Sequence, residues 1–203
     1  MKILVSVLDD SVQKKIINEV SKIICKAPLF NPLTPIWNKP LKIKITNAGE
    51  WGWLSNKQGY KYVRCHPLTK KKWPPIPNVF FEIWNKYSSS LTLPNCSLIN
   101  VYENEKSTLG LHQDKDENDF SYPVVSISIG NKAIFNYGSS RKNLKKICLP
   151  SGSVVILKDE SRLYYHSISK VFKSDKNVFY NSKNIGLPKK GRVSITLRVF
   201  KKK

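Results

Sequence analysis

Apolar residues recur along this chain with two different periods. Between residues 10 and 26 they return every three or four positions. Val12, Ile16, Ile17, Val20, Ile23 and Ile24 form one stripe, which predicts an amphipathic helix capped by Asp10 or Ser11 and closed by Pro28. A second stripe, Val79, Phe80, Ile83, Trp84 and Tyr87, follows Pro77, a residue suited to a first helical turn. Both stripes are expected to pack against a sheet. After residue 97 the period drops to two. Short alternating or apolar runs at 97–102, 123–129, 132–137, 145–149, 153–157, 162–168 and 192–200 predict strands. Such spacing argues for a sandwich or a barrel of the jelly-roll kind, so the expected class is α+β, mainly β, with flanking helices.

Residues 41–75 interrupt this pattern. Leu41, Ile43 and Ile45 alternate as a strand, and Gly49 and Gly52 punctuate a turn around Trp51 and Trp53. Tyr60, Tyr62 and Arg64 alternate on a following strand, ahead of Lys70, Lys71, Lys72 and Trp73. Aromatics interleaved with lysines suit unstacked bases and their phosphates, and they equally suit an aromatic minicore under a charged edge. His66, beside Pro67 in a lysine-rich loop, reads as a surface residue. The polar, lysine-rich stretch 173–190 reads as a loop.

At 203 residues the chain fits one domain with a full-sized core. It contains no long uninterrupted apolar run, which predicts no membrane span. No convincing signal-peptide core precedes the first helix. Cys25, Cys65, Cys96 and Cys148 are scattered without C-x-x-C spacing, as reduced thiols of a cytoplasmic protein would be, and a monomer is expected. The net charge of +21 favours polyanions, nucleic acid first. A lysine-rich composition imposed by an AT-rich genome gives the same number, and the two accounts are compatible. Arginines are few: Arg64, Arg141, Arg162, Arg192 and Arg198.

The chemistry concentrates where Leu109-Gly-Leu-His112 turns abruptly acidic through Asp114, Asp116, Glu117 and Asp119. In extended backbone His112 and Asp114 project to one face. His166, at the end of Leu163-Tyr-Tyr-His166, is placed as a third ligand on a core strand. Two imidazoles and one carboxylate with open positions suit non-haem Fe(II). An H-x-D pair is common by chance, so the C-terminal strand decides. Strict alternation puts Arg192, Ser194, Thr196 and Arg198 on one face and Val193, Ile195, Leu197 and Val199 on the other. The two arginine Cα atoms then lie ~20 Å apart, a span across which two long side chains can bracket a short dicarboxylate. A dicarboxylate that also chelates Fe(II) is 2-oxoglutarate.

These residues resemble the AlkB family of Fe(II)/2-oxoglutarate-dependent nucleic acid dealkylases, bacterial type. The matching stretches are Asn100-Val-Tyr102, Leu111 to Glu117, Pro123 to Ser128, Ala133-Ile-Phe135, Ser161 to His166 and Arg192 to Arg198, with Gly52-Trp53, Gln58 to Tyr62 and Lys72-Trp-Pro74 upstream. The resemblance implies one dioxygenase domain over 1–203: a helical extension (1–40), a nucleotide-recognition lid (41–75) and a double-stranded β-helix core (76–203). It implies Fe(II) on His112, Asp114 and His166, with 2-oxoglutarate and O2 as cosubstrates. Arg192, helped by Tyr102, would take the far carboxylate, and Arg198, helped by Asn100, the near one; Thr196 shares their face, and Ser194 stands where the family usually has asparagine. Trp53, Tyr60, Tyr62, Asp116 and Arg141 would meet the substrate, and Leu157 stands where the bacterial member has tryptophan. The implied activity is demethylation of N1-methyladenine or N3-methylcytosine in single-stranded or flipped-base DNA, with RNA not excluded. A 2-oxoglutarate oxygenase acting on tRNA or protein, and an inactive basic nucleic-acid-binding module, remain as alternatives.

Overall fold

The period-two and period-3.6 segments translate into strands and helices in a computed structural model, which describes residues 1–174, 179 and 186–202. Six strands form one antiparallel sheet in the order β1 (Lys2–Leu4), β10 (Ser153–Leu157), β7 (Val124–Gly130), β12 (Arg192–Arg198), β5 (Cys96–Tyr102) and β2 (Lys44–Gly49). Four form the facing sheet: β6 (Leu109–His112), β11 (Tyr165–Val171), β8 (Ala133–Gly138) and β9 (Lys145–Leu149). A hairpin of β3 (Gly52–Asn56) and β4 (Gly59–Val63) forms a third, two-stranded sheet. The loop expected at 173–190 lies for the most part outside the described residues.

Alternation along the large sheet sorts its side chains onto two faces. Ile99, Val101, Ile127, Val193, Ile195 and Leu197 turn outward and are covered by α1 (Asp10–Lys26) and α2 (Asn78–Tyr87) through Ile16, Val20, Ile23, Phe80, Ile83 and Trp84. Leu98, Tyr102, Val124, Val155 and Leu157 turn inward and meet Phe135, Leu149, Ile168 and Val171 of the small sheet. The result is a double-stranded β-helix, or jelly roll, with two helices laid on its outer face. Burial of these apolar side chains, each worth roughly 1.5–3 kcal/mol, is what holds the layers together.

Several local expectations change. The cap of α1 is Asp9, whose carboxylate accepts from the Val12 amide at 2.9 Å; Asp9 is the residue whose backbone is still extended, so it displaces Asp10 and Ser11. β1 and β2 are the two edge strands of the large sheet, so residues 1–40 and 41–75 each lend a strand to the core. His66 is not a surface residue. It is 1% exposed, wedged between Phe30 and Trp73, with Nδ1 accepting from the Leu68 and Thr69 amides and Nε2 donating to the Pro28 carbonyl. Burial was paid for with three hydrogen bonds that local sequence did not reveal. Among the described residues no helix is long and apolar enough to cross a membrane.

The hairpin sits close to the large sheet. Asn47 on β2 accepts from the Trp53 amide at 3.0 Å and donates to its carbonyl at 3.1 Å. Any side chain at Gly52 would run into the Trp73 indole, so only glycine lets β3 approach this closely.

Candidate active site

His112 ends β6 and His166 lies on β11, and the antiparallel register sets them directly opposite one another. Their rings are 4.3 Å apart between centroids. Each imidazole donates through Nδ1 to a carbonyl two residues back, His112 to Gly110 at 2.8 Å and His166 to Tyr164 at 3.0 Å. That fixes the tautomer and leaves Nε2 as the free lone pair on both rings. Asp114 follows β6 and puts Oδ1 3.8 Å from His112 Nε2 and Oδ2 3.9 Å from His166 Nε2. The three donor atoms lie within 4.8 Å of one another. Burial and the neighbouring His166 push the His112 pKa down to about 4, so the ring stays neutral and able to ligate. Burial alone would raise Asp114; the guanidinium of Arg198, then His166, His112 and Arg162, outweigh it and hold the carboxylate ionised. Two imidazoles with Nε2 turned inward and one carboxylate are a donor set that fits Fe(II).

β12 runs through the middle of the large sheet, and its inward face carries Arg192, Ser194, Thr196 and Arg198 into a cavity of about 410 Å³ between the sheets. Arg192 is 1% exposed and makes one short bond, to Ser128 Oγ at 2.6 Å. Its other contacts are long, to the carbonyls of Asn131 and Leu149 at 3.3 and 3.5 Å, and its Nε has no partner. Among the described residues no carboxylate pairs with it. Burial drags its pKa down to about 10, while its guanidinium lies 6.0 Å over the Tyr102 ring. A buried cation with an orphaned donor is an anion site in waiting. Arg198, by contrast, already holds Asp114 Oδ1 at 2.7 Å. Between the arginines Asn100, Ser194 and Thr196 supply polar groups, with Ser194 Oγ 3.1 Å from Ser126 Oγ, and Leu98, Val124 and Leu149 supply an apolar wall. One unpaired cation at the far end and an aliphatic wall fit a short dicarboxylate such as 2-oxoglutarate.

The outer rim of the same cavity is aromatic and charged. Trp53 and Tyr60 stack at 5.6 Å with planes 19° apart, and Trp53 Nε1 donates to Asp116 Oδ2 at 2.7 Å. Arg141 lies 5.0 Å over the Tyr165 ring and also lines the cavity. Tyr62 departs from expectation. It does not line the cavity; its ring stacks on Phe200 at 4.1 Å, and its hydroxyl donates to Glu117 while accepting from Arg198 at 3.2 Å. Tyr60 lines the cavity, whereas Tyr62 packs behind Arg198 and against Phe200.

Two residues of the site were missed. Glu117 is 3% exposed and pairs with Arg162 at 3.1 Å. Arg162 also donates to the Asp114 carbonyl at 2.6 Å and to the Tyr122 carbonyl at 2.8 Å, so it gathers the acidic loop around itself. Nothing in the acidic run around Glu117 distinguishes it from its neighbours. The available signal was Arg162, one of the few arginines in a lysine-rich chain, at a place where a fork of donors is needed.

Residues 1–198 match the 2OG-Fe(II) oxygenase superfamily. The chain is also 34% identical over 193 residues to the alpha-ketoglutarate-dependent dioxygenase AlkB homolog of Caulobacter vibrioides, covering 94% of this chain and 83% of that one. This chain belongs to the AlkB family. Shorter matches include the DNA N(6)-methyladenine demethylase ALKBH1D of Arabidopsis thaliana, 36% identical over 53% of this chain and 25% of that protein. The tRNA demethylase abh1 of Schizosaccharomyces pombe is 32% identical over 66% of this chain and 46% of its own. The solved structure of OsALKBH1 superposes with a TM-score of 0.76 at 26% identity, covering 97% of this chain and 95% of that one. This AlkB-family protein is therefore an Fe(II)- and 2-oxoglutarate-dependent dioxygenase that uses O2, which sets aside the reading as a binding module without catalysis.

Proposed function

We propose that this enzyme oxidatively removes methyl groups from alkylated bases of the N1-methyladenine and N3-methylcytosine type in single-stranded DNA, as a repair activity. The observation that carries the reading is the Trp53–Asp116 hydrogen bond at the mouth of the cavity. It sets a flat aromatic face beside a carboxylate, which together suit a planar base bearing positive charge. Tyr60 extends the aromatic face, and Arg141 and the +21 net charge suit the phosphates. The relatives named as DNA and tRNA demethylases support the nucleic acid class. The tRNA demethylase gives a second reading, RNA, in the same pocket.

Fe(II), 2-oxoglutarate and O2 supply the oxidation of a methyl C–H to C–OH, with loss of CO2 and formation of succinate. The protein's own part is positioning. His112, Asp114 and His166 would hold the metal. Arg192 and Tyr102 would receive the far carboxylate of 2-oxoglutarate, and Arg198 and Asn100 the near one. Trp53 and Asp116 present the methylated base. The hydroxymethyl product then loses its hydroxyl proton as its C–N bond breaks, giving formaldehyde and the unmethylated base. The four free cysteines suit a protein working in the cytoplasm, and we take it to act as a monomer.

The test is a coupled assay with Fe(II), 2-oxoglutarate and a single-stranded oligonucleotide carrying N1-methyladenine. Succinate and formaldehyde should appear in equal amounts. Succinate release indifferent to every methylated DNA and RNA oligonucleotide would remove the reading.

A further inference from the structure

Ile36 and Trp37 are adjacent in sequence, apolar, and 84% and 73% exposed. Leaving a tryptophan in water forgoes the burial that normally fixes its place, so its position has to come from the loop that carries it. That loop is tightly built. The Thr34 amide donates to the Lys39 carbonyl at 2.8 Å, the Asn38 amide to the Thr34 carbonyl at 2.8 Å, and the Lys39 amide to Thr34 Oγ1 at 3.1 Å. Asn38 takes the left-handed conformation, φ 49°, that the turn requires. Leu33 bridges to Pro40 across the base of the loop. The tip residues are thus held outward by backbone bonds rather than by packing.

The loop also has a fixed relation to the active site. The Leu33 amide donates to the Ser55 carbonyl at 3.1 Å, and Ser55 Oγ donates back to the Leu33 carbonyl. Ser55 is on β3, two residues from Trp53, which lines the cavity. On the other side the chain runs directly into Leu41 and Ile43, which line the same cavity. Lys39, Lys42, Lys57 and Lys61 are exposed along this stretch, and among the described residues none of them is in an ion pair. An aromatic face beside uncompensated ammonium groups is the chemistry of a base and its phosphates. A protein partner is a poorer fit, since a two-residue tip is far below the ~800 Å² per side of a stable interface.

We propose that the Ile36–Trp37 tip is a nucleic acid contact outside the cavity, in which Trp37 stacks on a base flanking the target base on the same strand. The proposal rests on the nucleic acid reading above. It extends the site from one nucleotide to at least two, and makes the enzyme prefer strands over isolated nucleotides.

The test compares a methylated single-stranded DNA decamer with a methylated nucleoside 5′-monophosphate, which has no flanking base. Trp37→Ala should raise KM for the decamer about fivefold or more, the lower end of one base–aromatic stack. It should leave the mononucleotide and the 2-oxoglutarate requirement within twofold, and Trp37→Phe should restore most of the loss. Equal shifts on both substrates, no shift on the decamer, or a loss confined to duplex DNA would each overturn the proposal. A binding arm needs no turnover. An unmethylated decamer should quench the most exposed tryptophan fluorescence, and bind Trp37→Ala at least fivefold more weakly but Trp37→Phe nearly normally. Failure of demethylation with this binding pattern intact would remove the proposed activity and keep the contact; the reverse would remove the contact alone.

Discussion

The guanidinium of Arg198 donates to Asp114 Oδ1 at 2.7 Å, so the residue proposed to hold the near carboxylate of the cosubstrate also holds a proposed metal ligand. Lysine at this position keeps a charge but not the fork that reaches Asp114 and Tyr62 together. Arg198→Lys should weaken Co(II) binding, followed by its visible absorption, and raise the 2-oxoglutarate requirement as well. Each loss should be about tenfold or more, the scale of a charge-assisted hydrogen bond. An unchanged Co(II) affinity would show that Asp114 does not depend on Arg198.

Arg192 touches no metal ligand. Arg192→Lys should therefore raise the 2-oxoglutarate requirement by a similar factor while leaving Co(II) affinity and oligonucleotide binding unchanged. Titration of the three ligands separately checks this. If oligonucleotide affinity fell in parallel, the strand would be contacting nucleic acid and not a dicarboxylate.

Replacing His112, Asp114 or His166 with Ala should abolish turnover and metal binding with the far-ultraviolet circular dichroism unchanged. Near-normal demethylation by His112→Ala would refute the iron assignment. The three variants are not equivalent in stability. Asp114→Ala leaves Arg198 buried with one carboxylate fewer, so it should have the lowest Tm of the three.

Asp116 should govern lesion choice. Asp116→Asn should lower kcat/KM for the cationic N1-methyladenine and N3-methylcytosine by ~1.5–3 kcal/mol and spare neutral lesions such as N1-methylguanine. Asparagine can still accept the Trp53 indole hydrogen bond, so the ring should stay in place. A parallel fall for both lesion classes would assign Asp116 to the metal site.

Binding of a single-stranded oligonucleotide should weaken with salt at ~0.7 log units per log salt for each phosphate neutralised. A flat response would identify the +21 charge as composition without a binding role.

The strands after residue 97 were legible as short alternating or apolar runs: those of the large sheet pack on helices outside and on the small sheet inside, while those of the small sheet bury one face against the large one. β12 is the clearest case: Val193, Ile195 and Leu197 face α1 and α2, while the arginines face the cavity. β1 was illegible because three residues carry no periodicity, and its strand character comes from its pairing with β10. The membership of β2 in the large sheet was hidden for a related reason, since its partner β5 is about fifty residues away. The burial of His66 and of Glu117 was illegible because each is a polar residue buried by a partner distant in sequence: Pro28 for the first, Arg162 for the second. Tyr62 shows that alternation names a face and not what lies against it.

β12 is hydrogen-bonded along its length on both sides, to β5 and to β7, whereas β3 and β4 share their ladder only with each other. Amide exchange should accordingly be slowest beneath the arginines and fastest in the hairpin that carries Trp53. Warmed toward its melting point, the enzyme should become indiscriminate before it becomes inert, still consuming 2-oxoglutarate after it has stopped choosing what to oxidise.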